Sequence, residues 1–84
     1  MHFTLYSRSY CHLCDDMLTA LKAQLGAIPA SIRVLDVDDD PALLAIYDEL
    51  VPVLKGSYGD GADSDLGHYF LDVDRLSRFI AASP

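Results

Sequence analysis

One pair of residues in this chain has the type and the spacing for covalent chemistry: Cys11 and Cys14, in the segment Cys11-His12-Leu13-Cys14. An alternating segment before the pair and helical spacing after it predict that the pair opens a helix. At a helix N-terminus, unpaired amide hydrogens and the helix dipole each favour a thiolate by roughly 0.3–1 kcal/mol. The second sulfur lies one helical turn further on, so it can close on a disulfide that the first has formed. The segment therefore predicts a redox-active dithiol.

Two less specific interpretations compete with the redox one. A structural zinc site usually has four ligands. Besides the two cysteines the chain offers only His2, His12 and His68, and His12 is expected to point away from the sulfurs. The number of ligands therefore argues against zinc, and we expect no metal. Inert, buried cysteines are the other alternative, because free cysteine is common in protein cores.

The elements that must position the pair follow from hydrophobic patterning. Four segments alternate or are rich in β-branched residues and predict strands, whereas apolar residues at helical spacing predict three helices. The predicted strands are 2–6, 32–37, 51–54 and 66–71. The predicted helices begin near Cys11, Asp40 and Asp72. Their buried faces are expected to include Leu13, Met17, Leu21 and Leu25 in the first helix and Val73, Leu76, Phe79 and Ile80 in the last.

The order of these elements, βαβαββα, predicts an α/β fold. A strand–helix–strand start implies two parallel strands with a right-handed crossover. The last two strands are close enough in sequence to form an antiparallel hairpin around the exposed loop 56–65, which is rich in Gly, Asp and Ser. We therefore expect a four-stranded mixed sheet with helices on both faces. The length of 84 residues fits a single domain spanning 1–84.

Composition and charge narrow the class of function. Six Lys and Arg against thirteen Asp and Glu give a net charge of −7. This balance repels phosphate backbones and anionic lipids, so we expect neither a nucleic acid nor a membrane as partner. No apolar run approaches the ~20 residues of a membrane-spanning helix, and the first residues lack the basic start and the apolar stretch of a signal peptide. We therefore expect a cytoplasmic protein. We also expect a monomer.

Two segments taken together resemble a known family. They are Tyr6-Ser7-Arg8-Ser9-Tyr10-Cys11-His12-Leu13-Cys14, at the end of the first strand, and Val51-Pro52-Val53-Leu54. Both resemble the glutaredoxin branch of the thioredoxin superfamily, and more narrowly the small glutaredoxin-like proteins with a C-H-x-C or similar pair. The resemblance covers the whole chain in element order. It implies a thioredoxin-like, glutaredoxin-type fold and disulfide chemistry at the cysteine pair.

The resemblance also implies roles for individual residues. Cys11 would be the nucleophile and Cys14 the resolving thiol. Pro52 would be a cis-proline that faces the pair, although an ordinary trans turn proline is the alternative. The Val51 backbone would pair with an extended substrate like an added strand. Tyr10, directly before the nucleophile, would shield its sulfur, and a rim aromatic is the alternative.

Charged residues around the pair complete the implied site. Arg8 matches the region where glutaredoxins place a lysine and would offer positive charge to a thiolate or a carboxylate. A solvated surface arginine is the alternative for Arg8. His12, if protonated, would favour the Cys11 thiolate, whereas Asp15 and Asp16 would oppose it while stabilising the helix. We expect the dipole and any His12 charge to prevail modestly.

The sequence departs from the family at the start of the last helix. Glutaredoxins hold glutathione partly with a Gly-Gly pair and an Asp there, whereas this chain has Leu71-Asp72-Val73-Asp74. Asp74 matches the family's Asp, but the glycine pair is missing. A glutathione carboxylate that arrived at this helix N-terminus would meet Asp72 and Asp74. The resemblance therefore leaves glutathione binding open.

We interpret the chain as a thiol–disulfide oxidoreductase that reduces protein or glutathione-mixed disulfides through Cys11 and Cys14. It would need no cofactor, with glutathione as a candidate co-substrate. Its partners would be a disulfide-bearing protein or glutathione, and a reductant such as glutathione or a thioredoxin-type system would reset it. The alternative is a non-catalytic thioredoxin-fold module that binds a protein partner, or a metal or iron–sulfur centre bridged between two chains.

Overall fold

The computed structural model describes residues 1–59 and 61–84 as five strands, three α-helices and one short 3₁₀ turn. Asp60, in the predicted loop 56–65, lies outside the described residues. Within the two described ranges, none of the helices has the length and apolar character that crossing a bilayer requires. In chain order the elements are β1 His2–Ser7, α1 His12–Leu25, β2 Ser31–Asp36, α2 Pro41–Tyr47, β3 Val53–Ser57, β4 Ser64–His68, β5 Phe70–Leu71 and α3 Val73–Ala81.

The strands form one mixed sheet in the order β2-β1-β3-β4-β5. β1 and β2 run parallel, as predicted for a strand–helix–strand unit, and the other neighbouring pairs are antiparallel. β5 has only two residues, Phe70 and Leu71. The sheet is therefore the predicted four-stranded mixed sheet with a short fifth strand at its edge, and the predicted α/β fold class is confirmed.

One face of the sheet carries the hydrophobic core. Phe3 and Leu5 lie on this face of β1, and Leu54 lies beside them on β3. Helices α1 and α3 cover these side chains with apolar residues at helical spacing, which removes both surfaces from water. The buried members of this core are Phe3, Leu5, Met17, Leu21, Leu25, Leu54, Leu66, Leu76 and Phe79.

Helix α2 lies against the opposite face, and its contact with the sheet is lighter. The Tyr47 ring stacks on the Tyr6 ring of β1, with 4.4 Å between the ring centroids. Lys55 Nζ lies 5.7 Å from the Tyr47 ring centroid. Tyr6 and Lys55 follow Leu5 and Leu54, so the period of two along a strand places them on the face away from the core. Helices cover both faces, as predicted, but no residue of α2 is fully buried.

Two strand predictions are wrong in their bounds. β3 continues to Ser57, whereas the chain from Gly56 onward was expected to be an exposed loop. Gly56 belongs in the sheet because it fits closely against the core, where a Cβ would lie 2.8 Å from a methyl carbon of Leu66. The predicted strand 66–71 is two strands, since Tyr69 has a φ of 63° and turns the chain between β4 and β5.

Two residues that were assigned to buried helix faces are exposed. Leu13 keeps 37% of its accessible surface and Val73 keeps 44%, while Cys14 keeps only 4%. A spacing of four residues advances about 400° around an α-helix, so a stripe built on it drifts by about 40° at each step. The buried stripe of α1 therefore continues from Met17 to Cys14, three residues earlier, and leaves Leu13 outside.

Candidate active site

Cys11 and Cys14 form a disulfide at the N-terminus of α1, with their Cα atoms 5.2 Å apart. Cys11 is the N-cap of the helix: its backbone is extended, and its Sγ accepts a hydrogen bond from the Cys14 amide at 3.1 Å. Cys14 lies in the first turn and is buried, whereas Cys11 is only partly buried. The two sulfurs therefore differ in access, with Cys11 the outer one and Cys14 the inner one.

The charges around the outer sulfur have opposing effects. The amides of the first turn of α1 and the helix dipole favour negative charge on the Cys11 sulfur. Asp15 and Asp16 lie exposed in the same part of the helix and disfavour that charge. His12 is the first residue of α1 and is also exposed, so its ring is accessible to solvent beside the dithiol.

The loop that leads from β1 into α1 is tied down by three carboxylates. The Arg8 guanidinium pairs with Asp38 and with Asp48, each at 2.9 Å between nitrogen and oxygen. The Ser9 hydroxyl donates to the Asp36 carboxylate at 3.1 Å. The hydrogen bonds that the guanidinium donates to both carboxylates raise the pKa of Arg8. The predicted use of Arg8 toward a thiolate or a substrate carboxylate therefore competes with two carboxylates of the chain itself.

Tyr10, directly before the N-cap, has a left-handed backbone with a φ of 59°. Its side chain is fully exposed, at 105%, so it covers neither sulfur and the predicted shielding of the nucleophile is wrong. A left-handed backbone costs a residue with a Cβ roughly 1–2 kcal/mol, and such strain is concentrated at functional sites. The strained backbone holds the ring in solvent next to Cys11.

Pro52 lies where β3 begins, at the end of the sheet where β1 finishes. The Val51–Pro52 peptide bond is cis, as predicted, and Pro52 is buried. Tyr6 pairs with Val53 in the antiparallel register of β1 and β3, so the chain leaves β1 and enters β3 at the same end of the sheet. The Val51 N–H donates to the Tyr47 carbonyl at 3.2 Å. A substrate strand that pairs with Val51 must therefore use its carbonyl or displace this bond, and the predicted pairing stays a prediction.

The turn between β4 and β5 reaches the same end of the sheet. The Tyr69 N–H donates to the Pro52 carbonyl at 2.9 Å, and the Tyr69 hydroxyl donates to the Glu49 carbonyl. Gly67, just before the turn, has a φ of 140°, and a Cβ there would lie 2.6 Å from the Phe70 carbonyl oxygen. These contacts fix the turn, and it presents Phe70 to solvent at 71% exposure.

The N-terminus of α3 already carries its own carboxylates. Asp72 is the N-cap and accepts the Arg75 amide at 3.0 Å. The same carboxylate lies 3.5 Å from the Arg75 side chain. Asp74 is exposed in the first turn. An incoming anion would meet these charges, so the part of Asp74 in substrate binding stays a prediction.

A groove with a volume of about 250 Å³ runs between α1 and the segment from the β4–β5 turn into α3. The sequence analysis did not predict this groove, although the sequence contains one indication of the turn that forms it. Leu66 and Leu71 are five residues apart, so in one continuous strand they would face opposite sides of the sheet. A turn between them, with an aromatic facing outward, could have been expected. The lining residues are Leu13, Asp16, Met17, Ala20, Tyr69, Phe70, Leu71 and Val73.

Potential metal ligands are scattered in the described part of the chain. Within residues 1–59 and 61–84, no group of three or more His, Cys, Asp or Glu side chains is arranged to hold a metal ion. Both cysteines are joined to each other. The reactive groups at this site are the two sulfur atoms of Cys11 and Cys14.

A family comparison agrees with the geometry of the site. Residues 2–81 match the family described as Glutaredoxin-like domain (DUF836). The match includes the cysteine pair, the cis-proline and the N-terminus of α3. Among curated proteins, none matches the chain.

Solved structures extend the comparison. Protein XcR50 from X. campestris is 35% identical, with 98% of this chain and 99% of that chain covered and a TM-score of 0.64. Protein Ne2328 from Nitrosomonas europaea is 31% identical, with 93% and 88% covered and a TM-score of 0.77. Thioredoxin 1 from Thermosipho africanus is 16% identical, with 96% of each chain covered and a TM-score of 0.63. The likeness to thioredoxin 1 is one of fold alone.

Proposed function

Because the chain belongs to the glutaredoxin-like domain (DUF836) family, we propose that it is a thiol–disulfide oxidoreductase that acts through Cys11 and Cys14. The observation that carries this proposal is the disulfide at the N-terminus of α1. One of its sulfurs caps the helix and is partly exposed, and the other is buried one turn further on. Such a pair can pass between dithiol and disulfide without changing any other covalent bond.

The difference in access assigns the first step to Cys11. In the reduced protein its thiolate attacks one sulfur of a substrate disulfide, because Cys11 is partly exposed whereas Cys14 is buried. A Cys11–substrate disulfide forms while the substrate S–S bond breaks. The leaving thiolate takes up a proton from water. The amides at the start of α1 stabilise the attacking thiolate.

The second step belongs to Cys14. Its thiol loses a proton and attacks the Cys11 sulfur, which lies within bonding distance of it in the structure. The second substrate thiol leaves, so the substrate has gained two electrons and two protons, and the protein holds the Cys11–Cys14 disulfide. Two equivalents of an external thiol, such as glutathione, or one dithiol of the thioredoxin type, would return the protein to the dithiol. We expect this cycle to operate in the cytoplasm, where such reductants are found.

The substrate of this cycle is a disulfide-bearing protein or a glutathione-mixed disulfide. The start of α3 favours the first, because Leu71-Asp72-Val73-Asp74 lacks the glycine pair with which glutaredoxins hold glutathione and adds the carboxylate of Asp72. Glutathione as a co-substrate therefore stays open in this proposal.

Two cysteine variants test the proposal. The assay follows the reduction of a mixed disulfide on a protein substrate. Glutathione and glutathione reductase serve as the recycling system. We expect Cys11→Ser to abolish turnover. Cys14→Ser should still attack, but in a single-turnover reaction with a peptide disulfide it should stop at a Cys11–peptide disulfide that mass spectrometry detects.

The opposite result would assign the site to another use. If turnover in the Cys11→Ser variant equals that of the unmodified protein, the assignment of the nucleophile is wrong. If the unmodified protein in its dithiol form reduces no disulfide, the fold acts instead as a binding module, for a protein partner or for a metal or iron–sulfur centre shared between two chains. A coloured, dimeric protein after purification would identify the second of these cases.

A further inference from the structure

We infer that the groove between α1 and the β4–β5 turn is where the substrate docks, and that it selects disulfides flanked by an apolar side chain and a cationic one. The inference rests on the proposed function, since it names the class of disulfide that Cys11 attacks. The groove is lined mainly by apolar side chains and by one carboxylate, that of Asp16.

The first argument is the exposure of apolar side chains along the groove. Phe70 is 71% exposed, Val73 44%, Tyr69 40% and Leu13 37%. All four line the same groove. Single exposed apolar residues are ordinary on protein surfaces, but a contiguous group of them beside a groove is typical of an interaction site. An apolar side chain of a partner would remove this group from water.

The second argument is the rigidity of the turn that presents Phe70. Tyr69 is left-handed, with a φ of 63°, and is held by hydrogen bonds to the carbonyls of Pro52 and Glu49. Gly67 lets the chain pass within a distance that no Cβ allows. A strained, tightly held backbone is costly to the fold. This backbone holds the Phe70 ring in solvent, where the ring can contact a partner but does not pack in the core.

The third argument is the distance from the groove to the reacting sulfur. Leu13 lines the groove and lies two residues from Cys11. Consecutive Cα atoms are about 3.8 Å apart, so the Cα atoms of these two residues are separated by about 8 Å at most. An extended peptide advances about 3.3 Å per residue. A substrate side chain two or three positions from the attacked cysteine can therefore reach the groove.

The fourth argument is the charge around the groove. Among the residues that line it, Asp16 is the charged one. In the part of the chain that the structure describes, the Asp16 carboxylate forms no ion pair, whereas Asp72 is paired with Arg75. A cationic substrate residue would supply the missing charge, and glutathione, with two carboxylates, would be repelled.

Synthetic peptide disulfides provide the test. Each peptide has one cysteine in a disulfide with 2-mercaptoethanol, and a phenylalanine and a lysine lie within three positions of that cysteine. In two matched peptides, glutamate replaces the lysine or serine replaces the phenylalanine. The pre-reduced protein is mixed with each peptide, and the release of peptide thiol is followed in a single turnover. Every rate is divided by the rate of dithiothreitol with the same peptide, which removes the intrinsic reactivity of the disulfide.

We expect the normalised rate for the phenylalanine–lysine peptide to exceed that for each matched peptide by about tenfold at low salt. In Phe70→Ser the advantage of phenylalanine over serine should fall to about twofold or less, while Ile46→Ser, which removes an exposed apolar residue of α2, should retain it. Asp16→Asn should reduce the advantage of lysine over glutamate. Asp63→Asn, in the loop before β4, should not.

The outcomes separate this inference from the proposed function. If all three peptides react at the same normalised rate, or if Phe70→Ser and Asp16→Asn leave the preferences unchanged, the docking surface is wrong while the oxidoreductase stands. If the glutamate peptide or oxidised glutathione reacts faster than the lysine peptide, the charge argument is wrong. If no peptide and no glutathione disulfide is reduced at all, the proposed function fails and this inference fails with it.

Discussion

The segments that lead into α1 and α3 are built alike but are held in different ways. Each contains a tyrosine in the left-handed region, Tyr10 with a φ of 59° and Tyr69 with a φ of 63°. Each ends at an N-cap whose side chain accepts the amide three residues further on, at 3.1 Å for Cys11 and 3.0 Å for Asp72. The same local solution therefore starts both helices at the candidate site.

The difference lies in what each segment contacts. The Tyr69 side chain and backbone are both hydrogen-bonded to the loop between α2 and β3, whereas the Tyr10 ring is fully exposed. The cap of α3 is a carboxylate with a fixed charge, and the cap of α1 is a sulfur whose charge depends on its redox and protonation state. The contacts of Tyr69 thus fix the turn before α3 while Phe70 beside it stays exposed, and the segment before α1 leaves the Tyr10 ring and part of Cys11 open to solvent.

The largest effect that tests this difference is expected at Gly67. In Gly67→Ala the new Cβ would lie 2.6 Å from the Phe70 carbonyl oxygen and 2.9 Å from the Asp72 nitrogen, both backbone atoms. Overpacking and a left-handed backbone together should lower the free energy of unfolding by about 3 kcal/mol. Urea denaturation of the disulfide form measures the change.

Gly26→Ala is the matched control for Gly67→Ala. Gly26 also has a positive φ, of 56°, but a Cβ there would meet nothing within 4 Å. Only the backbone cost remains, so we expect a loss of about 1 kcal/mol. Equal losses at the two positions would contradict the close approach at Gly67, and with it the rigidity of the turn.

The two left-handed tyrosines form a second test. Tyr69→Gly and Tyr10→Gly relieve the same backbone strain, so the difference between them isolates what the side chains contribute. Tyr69→Gly also loses the hydrogen bond to the Glu49 carbonyl and the contact with His68. We expect Tyr69→Gly to be about 1–2 kcal/mol less stable than Tyr10→Gly, as measured by urea denaturation. If Tyr10→Gly is the less stable variant, the ring of Tyr10 contributes to the fold and the comparison is wrong.

The two helix caps should respond in opposite directions. Asp72→Ala removes a preferred cap and should cost about 1 kcal/mol, while Asp72→Asn should retain most of it. Serine caps helices well, so we expect Cys11→Ser to be more stable than the reduced unmodified protein by about 0.5 kcal/mol although its turnover is lost. Thermal unfolding in the presence of a reductant measures both changes. A loss of stability in Cys11→Ser would mean that sulfur is the better cap in this position.

The sequence was sufficient for the parts of this fold that depend on local rules. Alternation, helical spacing and the caps at Asp40 and Asp72 predicted the element order and the mixed sheet. The placement of Cys11 and Cys14 close together at the start of α1 followed from their spacing and from the helical pattern after them. The cis bond at Pro52 came from the family resemblance alone, because nothing local distinguishes it from a trans proline.

The parts that the sequence did not reveal depend on contacts between distant segments. Gly56 was assigned to a loop because its place beside Leu66 in the core is a tertiary contact. The pairing of Arg8 with two aspartates far along the chain could not be distinguished from a solvated arginine. That Leu13 and Phe70 line one groove could not be predicted either, because the β4–β5 turn brings them together only in the folded protein.

The smallest effect is expected on the face under α2, away from both segments. Burial, and then the nearby Tyr47, raise the pKa of Tyr6 above its usual 10.0. For Lys55, burial acts to lower the pKa, but the hydrogen bond with Asp65 and neighbouring charges outweigh it and raise the pKa above its usual 10.5. A group whose pKa is raised on folding contributes stability to the folded state. This contribution is fully present below the unfolded pKa and is lost as pH rises through the folded pKa. Both contributions are therefore present at neutral pH and are lost above about pH 10.

We expect the free energy of unfolding to fall slightly across this alkaline range, and Tyr6→Phe to make the decline less steep while leaving the neutral-pH redox activity in place. Urea denaturation at a series of pH values measures the slope. An equally steep decline in Tyr6→Phe and in Lys55→Met would assign the alkaline response to other groups, the exposed tyrosines of the two segments among them.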